Sequence, residues 1–240
     1  RPPTPAARPP PPCLRRPAPG RAFLETADLT AELALTDPVL ETKALTIRFG
    51  GHVAVDRVSC AFRAGELTAI VGPNGAGKTT YFNLISGQLP ATAGQVLLEG
   101  RDVTRASAST RTHLGLGRAF QLTNLFPSLT VRENVRLVAQ SKARKGFDLV
   151  SMASGHRELI EAADHALERV RLTKLADQTV SALSHGDQRK LEVALLIALQ
   201  PRVYMFDEPT AGMSMDEAPV VLDLIADLKA EGGHAILLVE

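Results

Sequence analysis

One segment constrains this chain more than any other: Gly72-Pro73-Asn74-Gly75-Ala76-Gly77-Lys78-Thr79-Thr80. Its spacing matches G-x-x-x-x-G-K-[ST], the pattern of a phosphate-binding loop. Glycines let the backbone N–H groups point inward as an anion nest, and the helix that follows presents its positive N-terminal end. The segment therefore predicts a nucleotide site in which Lys78 reaches the β- and γ-phosphates and the Thr79 hydroxyl ligates Mg²⁺.

The residues on either side of the loop favour this interpretation. Leu67–Val71 is a short apolar run bounded by glycines, which is typical of a buried parallel strand. Thr79–Ser86 follows a helical pattern, and Gly87 suits a helix C-cap. The alternative, an ordinary turn with an exposed lysine, does not require a strand before the loop and a helix after it.

Further strands and helices are predicted outward from the loop. A small antiparallel sheet is expected from the runs Ala44–Phe49, Val53–Val55, Val58–Phe62 and Gly94–Glu99. Helices are expected from Thr130, where Thr130 and Glu133 form a capping box, from His156 to about Val170, from Ser184, and from Asp216 to about Ala230. The apolar strands Val203–Phe206 and Ala235–Val239 alternate with helices, which indicates a mainly parallel α/β sheet.

Composition narrows the function classes. The chain has 240 residues, 45% of them hydrophobic, and a net charge of +1. Because this charge is so small, no nucleic acid partner is expected. No apolar run approaches the roughly 20 residues that span a bilayer, so attachment to a membrane would need a partner protein. Residues 1–38 are rich in proline, alanine and arginine and are predicted to be a disordered tail.

Two other segments carry chemistry. Asp207 and Glu208 directly follow an apolar strand, where Asp207 could hold Mg²⁺ and Glu208 could deprotonate the attacking water. Acidic residues at a strand end are also common solvent-facing caps, and only the upstream loop favours the catalytic interpretation. Ser184 and Gly186 lie where a helix N-terminus could receive an anion. Within one chain this second anion site would be redundant, whereas a head-to-tail dimer would use it on the partner's ATP.

These segments together resemble the nucleotide-binding subunit of an ATP-binding cassette (ABC) transporter, over Val39 to Glu240. The resemblance implies that Gly72 to Thr80 is the Walker A motif and that Tyr204 to Asp207, followed by Glu208, is Walker B. It also implies that Leu183-Ser184-His185-Gly186-Asp187 is the signature and that Ala211 to Ser214 is the D-loop region. Gln121 would be the Q-loop residue that senses the γ-phosphate and Mg²⁺, and Phe49 would stack on adenine. Mg²⁺ would then be held by Thr79, Gln121 and Asp207. The D-loop region lacks the aspartate that is usual in the family.

The implied fold is an α/β P-loop nucleoside triphosphatase core, with an antiparallel β subdomain and an inserted helical subdomain at about residues 122–183. The cassette itself would span residues 39–240. Two copies, or this chain and a related subunit, would close around two ATP molecules. The helical subdomain would dock on transmembrane permease subunits and hold the protein at the cytoplasmic face of the membrane.

A narrower resemblance is to the ATPase subunits of branched-chain amino acid importers. It rests on Gly117-Arg118-Ala119-Phe120-Gln121, on Leu125-Phe126 to Asn134, on Leu183 to Glu192 and on Pro209-Thr210-Ala211-Gly212. ATPases of urea or other amide importers are similar. A nucleotide-dependent binding module with little hydrolysis and a soluble ABC ATPase are two competing hypotheses. A single cassette without a long heptad segment disfavours the soluble ABC ATPase.

The chain stops at Glu240, directly before the position of the family's switch histidine. The strands and helix that usually follow in the family are also missing from the sequence. We therefore expect the cassette to be incomplete at its C-terminus.

Overall fold

The computed structural model describes residues 37–119, 125–143, 154–211, 213, 215 and 218–240, with the backbone alone for 154–156. Nearly all of the predicted tail 1–38 and the Q-loop Gln121 lie outside these residues. In chain order, the strands are β1 (Leu40–Phe49), β2 (His52–Phe62), β3 (Leu67–Ile70), β4 (Ala93–Leu98), β5 (Arg101–Asp102), β6 (Leu116–Ala119), β7 (Val203–Asp207) and β8 (Ala235–Val239). The helices are α1 (Lys78–Ser86), α2 (Ala108–His113), α3 (Val131–Lys142), α4 (Ser154–Arg169), α5 (His185–Leu199) and α6 (Ala218–Glu231).

The strands form two four-stranded sheets. The first sheet is antiparallel in the order β2-β1-β4-β5, and β1 and β2 are joined by the Gly50-Gly51 turn. The second sheet is parallel in the order β3-β8-β7-β6. The predicted antiparallel sheet and the predicted parallel sheet are therefore both present.

The parallel sheet divides the hydrophobic core into two clusters. Along β7, Val203 and Met205 belong to one cluster, whereas Tyr204 and Phe206 belong to the other, as the alternation of side chains along a strand requires. The first cluster contains α1 and the antiparallel sheet. The second contains residues of α3, α4, α5 and α6. Helices α1 and α5 consequently pack on opposite faces of the same sheet.

The caps predicted for the end of α1 and the start of α3 are present in the structure. Helix α1 ends at Gly87, whose φ of 80° is left-handed and allows its N–H to bond back to the last turn. Helix α3 begins with a complete capping box between Thr130 and Glu133. Helix α4 buries Ala163 and Leu167 fully, but Ile160 on the predicted apolar face is 37% exposed.

Three short elements were not predicted: β5, α2 and β6. Strand β6 has the sequence Leu-Gly-Arg-Ala, which lacks the β-branched residues that usually reveal a strand. It becomes a strand because its backbone pairs with β7, from Leu116 opposite Val203 to Ala119 opposite Phe206. Among the described residues, no helix is long and apolar enough to cross a membrane.

Candidate nucleotide-binding site

The phosphate loop, Asp207 and Glu208 lie at one edge of the parallel sheet. All four strands run in the same direction, so their carboxyl ends meet at this edge, where α/β proteins bind ligands. The loop of residues 72–77 follows β3, and Asp207 is the last residue of β7. Ile70 and Asp207 both pair with Val239 of β8. They are therefore two strand spacings, or about 10 Å, apart.

The phosphate loop leaves the N-terminus of α1 without a side-chain cap. Gly77 is the N-cap residue of α1, with φ 89°, and it has no side chain to bond to the first N–H groups. These groups and the helix dipole therefore favour an anion at this end of the helix. The loop is drawn together by a hydrogen bond from the Ala76 N–H to the Pro73 carbonyl oxygen, 3.1 Å.

Position 77 also has no room for a side chain. A Cβ atom at this position would lie 2.5 Å from the carbonyl oxygen of Ala54 in β2, which is closer than real Cβ atoms come. A Cβ at Gly75, in contrast, would meet no atom within 4 Å. The antiparallel sheet thus braces one side of the loop, and open space remains on the side of Gly75 for a ligand.

Lys78 folds back over the loop that precedes it. Its Nζ donates to the carbonyl oxygen of Gly72 at 2.5 Å and to that of Pro73 at 3.2 Å. The ammonium group therefore lies above the same backbone that would surround the phosphates. Because carbonyl oxygens are neutral partners, phosphate oxygens would be stronger acceptors for this ammonium.

Asp207 and Glu208 differ sharply in their surroundings. The Asp207 side chain is only 4% exposed. Glu208 is exposed and has a left-handed φ of 49°, which is uncommon for a residue with a side chain. Its backbone N–H donates to the Val239 carbonyl oxygen at 3.0 Å, and its carbonyl oxygen accepts from the Ala211 N–H. This turn at the end of β7 directs the two adjacent carboxylates into different environments.

Arg118 is part of this site, although our sequence interpretation assigned it no role. One guanidinium nitrogen, Nη2, lies 2.6 Å from Asp207 Oδ2. Burial lowers the pKa of Arg118, while the hydrogen bond and charge of Asp207 act in the opposite direction. The only sequence signal was a lone arginine in an otherwise small and apolar segment, three residues before Gln121.

Ser184 is the N-cap residue of α5, as predicted. Its Oγ accepts from the Asp187 N–H at 3.1 Å and donates to Asp187 Oδ2 at 2.9 Å. Burial raises the pKa of Asp187, but hydrogen bonds from Lys190 and Ser184 outweigh that effect and hold it below its ordinary value. Ser184 is exposed, whereas Gly186 is buried within the first turn of the helix.

The structure describes some of the remaining predicted site residues, while others lie outside the described residues. Phe49 ends β1 and is 51% exposed, as a ring that stacks on a ligand would be. Thr79 and Thr80 are half-buried in the first turn of α1, and Asn74 is exposed in the loop. Gln121 lies outside the residues that the structure describes, as does Gly212 of the D-loop region.

The loop, the uncapped helix end and the lysine together fit a polyphosphate ligand such as that of ATP. Oxygen-rich phosphates would replace the loop carbonyls as partners of Lys78, and the backbone N–H groups of the loop would supply further donors. The Ala54 carbonyl oxygen leaves no room for a side chain at Gly77, whereas the space beside Gly75 is open. The geometry of the loop is therefore compatible with the nucleotide site that the sequence predicts.

Comparison with known proteins identifies the family. The family model described as ABC transporter matches residues 55–211. The high-affinity branched-chain amino acid transport ATP-binding protein BraF of Pseudomonas aeruginosa is 36% identical over 212 residues, which cover 86% of this chain and 83% of BraF.

Solved structures agree with this result. The ADP conformation of MJ1267, an ATP-binding cassette of an ABC transporter, superposes with a TM-score of 0.73 at 30% identity, covering 85% of this chain and 82% of that chain. A dimeric structure of MJ0796, a bacterial ABC transporter cassette, has a TM-score of 0.70 at 26% identity, covering 83% of this chain and 87% of that chain. The predicted P-loop fold is confirmed. The chain belongs to the ABC transporter family, as one of its ATP-binding and ATP-hydrolysing cassettes.

Proposed function

We propose that this chain powers the import of branched-chain amino acids, or of similar solutes, across the cytoplasmic membrane by hydrolysing ATP. The observation that carries the ATPase role is the meeting of the phosphate loop with Asp207 and Glu208 at one edge of the parallel sheet. The solute class is supported by the resemblance to BraF, a branched-chain amino acid transport ATP-binding protein.

ATP would be held by the phosphate loop and by Phe49. The loop residues Gly72 to Thr80 would surround the phosphates through their backbone N–H groups, and the exposed Phe49 ring would stack on adenine. Lys78 would exchange its bonds to the loop carbonyls for bonds to the β- and γ-phosphates.

Mg²⁺ fits the oxygen donors that are available here. Thr79 offers a hydroxyl at the start of α1, Asp207 a carboxylate at the end of β7, and Gln121 would add an amide oxygen. Mg²⁺ prefers such hard oxygen ligands and takes others from phosphates and water. When bound, it would supply positive charge that stabilises the transferring phosphoryl group.

Glu208 would act as the general base. Its side chain is exposed to water and its backbone is left-handed, whereas the adjacent Asp207 is buried. Strained backbone of this kind persists where the surrounding structure holds it, here through two backbone hydrogen bonds. The carboxylate would orient the attacking water and accept its proton.

Ser184 and Gly186 would complete the site of a second subunit rather than that of their own chain. Helix α5 packs on the face of the parallel sheet opposite to α1, which supports a head-to-tail dimer with two shared sites. A similar bacterial cassette has a dimeric structure, which supports pairing of two subunits. ATP binding would close this dimer, and hydrolysis would reopen it.

The helical subdomain at about residues 122–183 would pass this movement to permease subunits. In that arrangement the chain is peripheral to the membrane, at its cytoplasmic face. Gln121 would link the γ-phosphate to the subdomain, because in the sequence it comes shortly after β6 and directly before the proposed subdomain.

Replacement of the proposed base tests this function. Glu208→Gln should retain ATP binding, reduce phosphate release by at least about a hundredfold and accumulate an ATP-bound dimer, since general-base catalysis contributes about 10²–10⁴. Nucleotide content and size-exclusion chromatography with multi-angle light scattering would measure both effects.

Glu99→Gln is a matched control. Glu99 is an exposed carboxylate with a left-handed φ of 48°, and it lies outside the proposed site. An unchanged turnover rate in Glu208→Gln would contradict the base role. Absence of phosphate release by the wild-type chain would instead favour the nucleotide-dependent binding module.

A further inference from the structure

A buried ion pair joins β6 to the proposed metal ligand. Arg118 Nη2 and Asp207 Oδ2 are 2.6 Å apart, and the two side chains are only 7% and 4% exposed. Charge-assisted hydrogen bonds of this length are among the stronger interactions inside a protein. The carboxylate that is expected to bind a metal therefore already has a cationic partner.

The guanidinium of Arg118 is held from its other side as well. Its Nη1 donates to Asn83 Oδ1 at 2.7 Å, to Ser86 Oγ at 2.9 Å and to Gln88 Oε1 at 3.1 Å. It also lies 5.6 Å from the centre of the Phe82 ring, a favourable position for a cation. All four partners lie on α1 or just beyond its end. The cation is therefore fixed and cannot move away from Asp207 without losing several bonds.

We propose that Arg118 is a built-in counter-ion for Asp207, which keeps the nucleotide-free site from binding a divalent cation and makes metal entry depend on the phosphates of ATP. This inference rests on the proposed metal role of Asp207. It makes Arg118 a positioning residue that acts through Asp207 and does not itself contact the nucleotide.

The electrostatic reason is a competition for one carboxylate. The single negative charge of Asp207 is already balanced by Arg118, and a divalent cation on the same carboxylate would be repelled by the guanidinium. Both side chains are buried, so water screens this repulsion poorly. The β- and γ-phosphates of ATP would add enough negative charge to overcome it. The chain would thus accept the metal with the nucleotide and not before it.

A second buried arginine shows what a purely structural role looks like. Arg111 is 1% exposed, and its Nη1 donates to the carbonyl oxygens of Leu84 and Ile85, at 2.7 and 2.6 Å, at the end of α1. Its Nη2 donates to the Thr104 carbonyl oxygen at 2.8 Å. Arg111 therefore anchors the same helix as Arg118, but through backbone carbonyl oxygens instead of a buried carboxylate. It provides a matched control.

The test measures Mn²⁺ binding to the nucleotide-free protein by electron paramagnetic resonance. Arg118→Gln should bind Mn²⁺ at least about tenfold more tightly than the wild type, because a repelling charge has been removed from a buried site. Arg118→Lys keeps the charge and should remain close to the wild type. The double variant Arg118→Gln/Asp207→Asn should lose the gain.

Arg111→Gln separates the counter-ion role from a general loosening of α1. It should lower the stability to urea while leaving Mn²⁺ affinity unchanged. An unchanged or weaker Mn²⁺ affinity in Arg118→Gln would overturn the proposal. So would an equal gain in Arg111→Gln, since loosening of the helix would then explain both results.

Two further measurements cover a variant that fails to fold and a metal site that does not include Asp207. If Arg118→Gln does not fold, Asn83→Ala removes one anchor of the guanidinium and should raise Mn²⁺ affinity by a smaller factor; no change there would also contradict the proposal. If Arg118→Gln gains Mn²⁺ binding and the double variant keeps that gain, the metal role of Asp207 fails. The role of Glu208 in ATP hydrolysis is tested separately, because no nucleotide is present in these measurements.

Discussion

Among the residues that the structure describes, two buried carboxylates are paired with arginine, and the two pairs differ in how completely their hydrogen bonds are satisfied. Asp207 accepts from Arg118 Nη2, and Arg118 Nη1 donates to side chains of α1 and to Gln88. Glu192 in α5 is 5% exposed, and its Oε2 lies 3.0 Å from Arg189 Nη1. Its other oxygen, Oε1, has no hydrogen-bond partner in the described part of the chain. Burial raises the pKa of Glu192, and Arg189 offsets this only in part.

Glu192 should therefore make stability depend on pH. Its raised pKa means that the folded chain keeps a proton on Glu192 at pH values where the unfolded chain has lost it. This contribution is complete below the ordinary value of 4.5 and is lost as pH rises through the higher folded value. In Glu192→Gln, the free energy of unfolding should fall less between pH 5 and pH 8 than in the wild type.

Urea unfolding at several pH values would measure this difference. Glu161→Gln, at an exposed position of α4, controls for the loss of one formal negative charge. A pH dependence in Glu192→Gln equal to that of the wild type would show that Glu192 does not take up a proton on folding.

At the scale of elements, α3 and α5 begin with the same kind of cap but differ in their proposed roles. Thr130 caps α3 through the Glu133 N–H, and Ser184 caps α5 through the Asp187 N–H, each at 3.1 Å. Both hydroxyls stabilise their helices by satisfying an N–H group that would otherwise lack a partner. Only Ser184 is also proposed to face a nucleotide, that of a second subunit.

Removal of the two caps should separate stability from catalysis. Thr130→Ala and Ser184→Ala should each lower the free energy of unfolding by about 1 kcal/mol. Only Ser184→Ala should also lower the rate of ATP hydrolysis, and it should leave ATP affinity of the single subunit unchanged. Urea unfolding, phosphate release and ATP titration would measure these three quantities. Equal effects of both substitutions on hydrolysis would indicate a general loss of structure.

At the scale of the whole molecule, the parallel sheet separates the two helix ends that are proposed to bind anions. Helix α1 packs on one face with the antiparallel sheet, and α5 packs on the other with α3, α4 and α6. This separation suits the proposed dimer, because each chain would contribute its phosphate loop to one site and the Ser184 end of α5 to the other. Each ATP would then contact both subunits.

Mixing two inactive variants should reveal the shared sites. Lys78→Ala loses the phosphate contact and Ser184→Arg blocks the signature end, so neither alone should hydrolyse ATP. In a mixed dimer, one site would combine an intact Lys78 from one subunit with an intact Ser184 from the other. The mixture should therefore recover a substantial fraction of wild-type phosphate release. If activity does not return although mixed dimers form, two copies of this chain do not share sites.

The sequence alone determined the parts of this protein whose chemistry is local. The phosphate loop needs its glycines and lysine in one unbroken segment, and the strands and helices around it follow hydrophobic periodicity and capping, which depend on near neighbours. These features predicted both sheets and the starts of α3 and α5, while the family was indicated by the resemblance of the motifs to those of ABC transporters. The domain limits, the site roles and the behaviour of Gln121 remain predictions.

Tertiary structure decided what depends on residues far apart in the chain. Strand β6 exists because β7 pairs with it, and Arg118 acquires a partner 89 positions away, a distance over which no local pattern extends. The close approach of Ala54 to Gly77 and the placing of α1 and α5 on opposite faces arise in the same way. Local patterns thus specify a loop that fits phosphate groups, whereas packing across the sheet sets the charge beside the carboxylate that is proposed to bind a metal.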